Sequence, residues 1–280
     1  MSIACDVWLS LRGGTDVGDW SQYHSSRNLR PRLIWSSFGE AGTGKTTFGL
    51  QGPGPVVVQS LDYGLEGVDD EFRSAGKDII EIEYNWNPVD YPEGIPGEDT
   101  DPRQEAAIEI RDRLIKDYRY ALKHARTLLW DKETQIYPLF NAAEWPSWYK
   151  PEPREHGPLQ AKYRGLINEA KATDINFGLI QGMKSPWEVK PSGQNGKERL
   201  TKTKDRTRRG FAEVEELVHV NIEHYVEMTP HAEQPYQFMF RTGKMRGPGA
   251  RKMQYREIPI VTFQEFGRLL FPDSAESDWA

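Results

Sequence analysis

Short apolar runs punctuated by turn residues set the pattern of the first half of the chain. Arg32-Leu33-Ile34-Trp35-Ser36-Ser37, Val56-Val57-Val58-Gln59-Ser60-Leu61 and Ile79-Ile80-Glu81-Ile82-Glu83-Tyr84 each have the length and β-branched content of a buried strand. A fainter run, Val7-Trp8-Leu9-Ser10-Leu11, predicts a strand in an N-terminal arm over residues 1–30. The period changes after a loop rich in Pro, Gly and Asp at 85–102. Ala106, Ile110, Leu114, Tyr118, Ala121, Leu122 and Ala125 recur at spacings of three and four, the stripe of a long amphipathic helix. Asp101-Pro102 opens it with a capping residue and proline at the first helical position. A strand at 126–131, a helix around 133–143, an aromatic loop from Trp145 to Pro158, a helix at 159–172 and a strand at 175–181 follow. Residues 184–210 show no apolar period and read as a long loop. Alternation at 217–228 and 236–242 predicts a β-hairpin, and Thr262–Leu270 a closing helix. Strands alternating with helices predict an α/β fold with a mostly parallel central sheet, in which ligands bind at the carboxyl ends of the strands.

Charge changes this picture of an ordinary globular domain. The 280 residues carry 36 Lys and Arg against 42 Asp and Glu, a net charge of −6. Lys184–Gly210 and Arg241–Arg256 each carry a net +6 by count, so the rest of the chain carries −18. An acidic body with two basic segments repels polyanions broadly and attracts them locally. The single Cys5 excludes a disulfide scaffold and, with no zinc-like Cys/His spacing, fits a reducing cytoplasm. No apolar run reaches the length of a membrane span, and the first residues lack a basic start followed by an apolar stretch, so neither membrane anchoring nor a signal peptide is expected.

The candidate chemistry is concentrated at Gly39-Glu40-Ala41-Gly42-Thr43-Gly44-Lys45-Thr46, which matches GxxxxGK[ST] between a predicted strand and a predicted helix. Glycines let backbone N–H groups turn inward around phosphates, and a helix N-terminus adds its positive end. Gly39, Gly42, Thr43, Gly44, Lys45, Thr46 and Thr47 are therefore the nucleotide-binding candidates. Lys45 is the residue to reach the β- and γ-phosphates, and Thr46 the Mg²⁺ ligand. A second Mg²⁺-site acid is expected at a strand end. Asp131 fits, with Asp62 as its competitor. Asp62, Glu66 and Glu133 are candidates to orient the attacking water, and Gln181 to sense the γ-phosphate.

These parts, in this order, resemble the RecA-like P-loop ATPase core over roughly residues 31–272, and more narrowly phage-encoded, core-only members acting as single-strand-annealing recombinases or nucleotide-binding proteins. The resemblance implies that ATP and Mg²⁺ are the cofactors, that Asp131 is the Walker B acid, and that Asp62 stands where the family has a catalytic Glu, one methylene shorter. It also implies that Lys184–Gly210 is the second DNA-binding loop, contacting single-stranded DNA through Lys184, Trp187, Lys190, Lys197, Arg199, Lys202, Lys204, Arg206, Arg208 and Arg209. Trp145–Pro158 stands in the place of the first loop. Lys244-Met245-Arg246-Gly247-Pro248-Gly249 is similar to the K-x-R and Gly-Pro turn of DnaB-type helicases, whose cations reach a neighbour's γ-phosphate, implying a homo-oligomer, filament or ring. The acidic end, 273–280, is expected to be a disordered solvated tail or a contact for a single-strand-binding protein. A ring helicase or translocase, and a P-loop kinase that does not act on nucleic acid, are the competing functions.

Overall fold

A computed structural model describes residues 30–279 except 62–63, 99, 185–186, 192–197, 203–206 and 230–235; within 187–202 it describes the backbone of two strands only. The predicted strand in the N-terminal arm, and Asp62, lie outside the described residues.

In chain order the elements are β1 (Ile34–Gly39), α1 (Lys45–Leu50), β2 (Val56–Ser60), α2 (Asp70–Ser74), β3 (Ile79–Glu83), α3 (Pro102–His124), β4 (Thr127–Asp131), α4 (Glu133–Glu144), α5 (His156–Lys171) and β5 (Asn176–Gln181). Then come β6 (Met183–Lys184), β7 (Trp187–Pro191), β8 (Glu198–Lys202), β9 (Thr207–Arg208), α6 (Val214–Leu217), β10 (Val220–Met228), β11 (Tyr236–Met245), α7 (Ala250–Met253), β12 (Glu257–Pro259) and α8 (Phe263–Leu270). The main sheet has the order β12-β11-β10-β1-β5-β4-β2-β3. From β10 through β3 every pairing is parallel; β10, β11 and β12 pair antiparallel. The α/β class, the mostly parallel sheet and the C-terminal hairpin expected from the sequence are those observed.

The strands of the parallel part are buried on both faces, and their side chains divide with period two. On β4, Leu128 and Trp130 join one core with α3, α4 and α5, whereas Leu129 joins the other with α1 and α8. Trp35 on β1 lies flat across β5 because residue 178 is glycine: a Cβ there would sit 2.4 Å from the indole. Asp101 caps α3 as its sequence predicts, accepting from the N–H groups of Arg103 (3.0 Å) and Gln104 (3.1 Å).

Two expectations are corrected. Residues 184–210 are not a featureless loop: β6 pairs with β9 and β7 with β8, both antiparallel, so the segment is a two-stranded ribbon standing on a short stem. Its strands are polar enough to hide the period-two signal. The acidic end is not a solvated tail either. Trp279 is buried, its ring 6.1 Å from Phe263 and 5.7 Å from Phe271, and Arg126 donates to the Asp278 carbonyl at 3.0 Å.

Candidate active site

The carboxyl ends of β1, β4 and β5 converge on the glycine-rich loop. β1 ends at Gly39, paired in register with His224 of β10. Gly39 has φ 151°, and a Cβ on it would fall 2.2 Å from the His224 carbonyl oxygen. Only glycine lets the chain leave the sheet there. Gly44, at φ 84°, is the last residue before α1, so the helix begins at Lys45 with its N–H groups toward the loop. The Thr43 hydroxyl donates to the Glu40 carbonyl (2.9 Å), and the Lys45 ammonium donates to the same oxygen.

The Thr46 hydroxyl donates to Asp131 Oδ2 at 2.8 Å. Asp131 is buried at the end of β4. The pair offers hard oxygen donors on adjacent elements, the donor chemistry that suits Mg²⁺ held by one or two protein groups together with phosphate oxygens. Burial pulls the Lys45 ammonium below the ordinary lysine range; Asp131 opposes the shift and Lys132 adds to it. A cavity of about 320 Å³ opens here, lined by Gly39, Lys45, Lys132, Gln181 and Arg209 among others. Among the described residues no cluster of three or more His, Cys, Asp or Glu side chains is placed to hold a metal ion, and no helix is long and apolar enough to cross a membrane.

Behind the cavity lies a buried polar network. Gln181 donates to Glu133 Oε2 (2.7 Å) and accepts from the Ser36 hydroxyl (3.1 Å). Glu133 Oε1 accepts from the Tyr163 hydroxyl (2.9 Å) and the Phe211 N–H (3.1 Å). Burial raises the Glu133 pKa, against the hydrogen bonds from Gln181, Phe211 and Tyr163 and the charge of Arg208. Arg208, in the ribbon stem, donates to Ser36 (3.0 Å), Asn221 (2.6 Å) and Glu215 (2.8 Å). The sensor candidate, one candidate for orienting water and one candidate DNA contact thus share one network. Arg208 is turned into the sheet, whereas Lys184 and Arg209 are exposed, and Arg209 lines the cavity beside the glycine-rich loop. The side chains of Trp187, Lys190, Lys197, Arg199, Lys202, Lys204 and Arg206 lie outside the described residues. Glu66 is exposed in the turn after β2.

Two features of the site escaped the sequence reading. His224 Nε2 is 2.9 Å from the Ser37 hydroxyl, with its ring against Phe48 and Phe240. Burial, then the nearby Lys45 charge, pushes its pKa down to about 3, so it is a neutral support beneath the loop. Its signal was the inward position two residues after Ile222 on an alternating strand. A second, largely apolar cavity of about 280 Å³ adjoins the loop, lined by Gly42, Gly44, Thr47, Gln51, Phe238 and Ile260 among others. Lys244 and Arg246 lie elsewhere. Val220 pairs with Met245, and Arg246 donates its backbone N–H to the His219 carbonyl at 2.7 Å, which puts both cations at the amino end of β10, opposite the loop. In the Trp145–Pro158 segment, Trp148 and Tyr149 are part-exposed beside acids: the Tyr149 hydroxyl donates to Glu155 (2.7 Å) and Arg154 pairs with Glu152 (2.9 Å).

Strand, GxxxxGKT turn, helix and facing strand-end acid occur together in space as the motif requires. The glycine-rich loop is therefore a P-loop in geometry as well as in sequence. No family model matches the chain, and neither does any curated protein. Among solved structures it is similar to the flagellar accessory protein FlaH from Methanocaldococcus jannaschii, with 8% identity, a TM-score of 0.41 and coverage of 78% of this chain and 80% of that one. It is also similar to a prototypical ATPase from the type III secretion system of pathogenic bacteria, with 14% identity, a TM-score of 0.38 and coverage of 71% of this chain and 52% of that one. The chain thus spans about half the length of the second protein.

Proposed function

We propose that the P-loop domain is a RecA-like, Mg²⁺-dependent ATPase acting on single-stranded DNA in recombination or annealing. The observation that carries the ATPase reading is the Thr46–Asp131 hydrogen bond at the carboxyl edge of the sheet, next to a cavity that Lys45 and Gln181 line. In it Lys45 exchanges the Glu40 carbonyl for phosphate oxygens. Thr46 and Asp131 supply the protein's share of the Mg²⁺ ligands. Mg²⁺ held by them would supply the neutralisation of charge that builds on the phosphates. Gln181 reads the γ-phosphate from the floor of the cavity, and Arg209 adds a positive charge at its wall. The apolar cavity beside Thr47 takes the base, with Phe238 as its stacking face.

The DNA reading is supported by the ribbon. It carries net positive charge and leaves the sheet directly after Gln181, so nucleotide and strand binding would be coupled through the network of Gln181, Ser36 and Arg208. Because Lys244 and Arg246 sit at the opposite end of β10 from the loop, any contact they make with a γ-phosphate is with another copy's nucleotide, which requires a homo-oligomer.

The test is the ATPase rate with and without single-stranded DNA, for the intact protein and Lys45→Ala. DNA should stimulate the intact protein, and the substitution should abolish hydrolysis. Hydrolysis that persists in Lys45→Ala overturns the ATPase reading. Strand affinity that is the same without nucleotide and with a non-hydrolysable ATP analogue overturns the coupling. Negative-stain images with analogue and DNA separate an open filament from the closed ring of a helicase.

A further inference from the structure

The second concentration of positive charge in the described residues lies at the other end of the sheet. The parallel pairing of β1 and β10 brings their amino ends side by side, about 17 Å from the P-loop at roughly 3.3 Å per residue. A cavity of about 480 Å³ opens there, lined by Arg30, Arg32, Lys171, His219, Arg246 and Phe271 among others. The cations come from three approaches: Arg30 and Arg32 lead into β1, Lys171 ends α5, and Arg246 follows β11.

Local structure accounts for part of the cluster. Arg32 donates to the Lys171 carbonyl and so satisfies the carboxyl end of α5. The remaining positive charge has no such explanation. Among the described residues no ion pair joins Arg30, Lys171 or Arg246 to a carboxylate; the Asp174 carboxylate accepts from the Arg30 backbone N–H at 3.0 Å. The cations are close enough to act on one another. Lys171 is lowered by burial and then by Arg246 and Arg32. His219 is driven down to about 4, by burial first and then by Arg32 and Lys171, with Arg246 adding to the effect. His219 is therefore neutral at pH 7. Its Nδ1 lies 3.3 Å from the Ile34 N–H, and the ring also hydrogen-bonds the backbone of Arg32. Crowded like charges raise the energy of the folded chain, and an oxyanion between them removes that repulsion.

We propose that this cavity is a second oxyanion site, which takes a phosphate group on Arg30, Lys171 and Arg246. It differs in kind from the P-loop: it has no glycine cradle and no carboxylate at its lining to share a divalent cation, so it takes the phosphate free of metal. The same chemistry accepts free phosphate compounds or the phosphates of a nucleotide held by another copy.

The test uses the full chain carrying Lys45→Ala, so that the P-loop lysine does not contribute. Pyrophosphate without Mg²⁺ is titrated calorimetrically at low salt in that chain, and again after adding Arg246→Gln or Lys171→Gln, with thermal melting to confirm that each variant is folded. A second arm replaces pyrophosphate with wild-type chain loaded with a non-hydrolysable ATP analogue and reads co-sedimentation. Pyrophosphate binding that weakens about tenfold with either substitution identifies a site for free phosphate compounds. Co-sedimentation lost with either substitution identifies the nucleotide of another copy as the source. Binding in neither arm, or binding indifferent to both substitutions, overturns the proposal. Failure of the P-loop reading would instead appear as hydrolysis that survives Lys45→Ala, a result to which this site is indifferent.

Discussion

Glu133→Gln separates two roles for a carboxylate that lies two residues beyond Asp131. As found, Oε1 takes the Tyr163 hydroxyl and the Phe211 N–H, and Oε2 takes the Gln181 amide. The substituted amide oxygen keeps the first two bonds, but its NH₂ then faces another NH₂. Gln181 can turn over to present its oxygen, and its nitrogen then points at Ser36 Oγ, which already accepts from Arg208. The Ser36 hydroxyl hydrogen loses its acceptor, and one buried orphan costs about 1–3 kcal/mol. Removing a negative charge that acts on the half-buried Arg208, alongside its ion-pair partner Glu215, adds about 1 kcal/mol. The expected loss is therefore about 2–4 kcal/mol in the free energy of unfolding, read by urea titration. Tryptophan fluorescence is a suitable probe because the Trp130 ring lies 5.5 Å from Tyr163. Glu133→Ala, which orphans all three donors and opens a cavity, should cost about 5 kcal/mol or more. A loss under about 0.5 kcal/mol for Glu133→Gln would refute the reasoning, since the side chain would then be a neutral acid in the folded state. Abolished hydrolysis with unchanged stability would instead assign Glu133 to the attacking water.

Gly39→Ala should destabilise the chain by about 3 kcal/mol through its clash with the His224 carbonyl, whereas Gly67→Ala, with positive φ but open space, should cost about 1 kcal/mol; denaturant titration compares them. Phe238→Ala should weaken ATP binding about fivefold and leave pyrophosphate binding at the P-loop unchanged, as measured by calorimetry. His224 and His219 have folded pKa values of about 3 and about 4, below the 6.5 of the unfolded chain. The stability they lend as neutral rings is complete above pH 6.5 and is lost as pH falls toward 4, by roughly 2 kcal/mol each between pH 7 and 5. Glu133, shifted upward, takes up its proton in the same direction and offsets part of the loss. Unfolding midpoints across that range that do not fall would exclude buried neutral histidines.

What was legible in the sequence is what depends on local pattern. The P-loop, the capped helix from Pro102 and the strand ending in Asp131 follow from spacing and turn residues alone, and the Thr46–Asp131 contact then follows from the motif's chemistry. The ribbon at 184–210 was missed because its two strands are only five residues each and one of them, Glu198–Lys202, holds a single apolar residue. The inward turn of Arg208 was missed for a related reason: nothing local marks a cation whose partners, Ser36 and Asn221, are 172 and 13 positions away. The second basic cavity depends on a crossover that sets β1 beside β10, and single-sequence patterns do not fix strand order.

The seating of Trp279 changes how the acidic end must be probed. Its indole covers the α8 glycine, Gly267, where a Cβ would come within 2.4 Å of the ring. Deleting residues 273–280 to ask whether their charge competes with DNA would therefore strip a lid from Phe263 and Phe271, and the truncated protein would report on its own unfolding. The clean experiment neutralises Asp273 and Glu276 in place and leaves the anchor where it is.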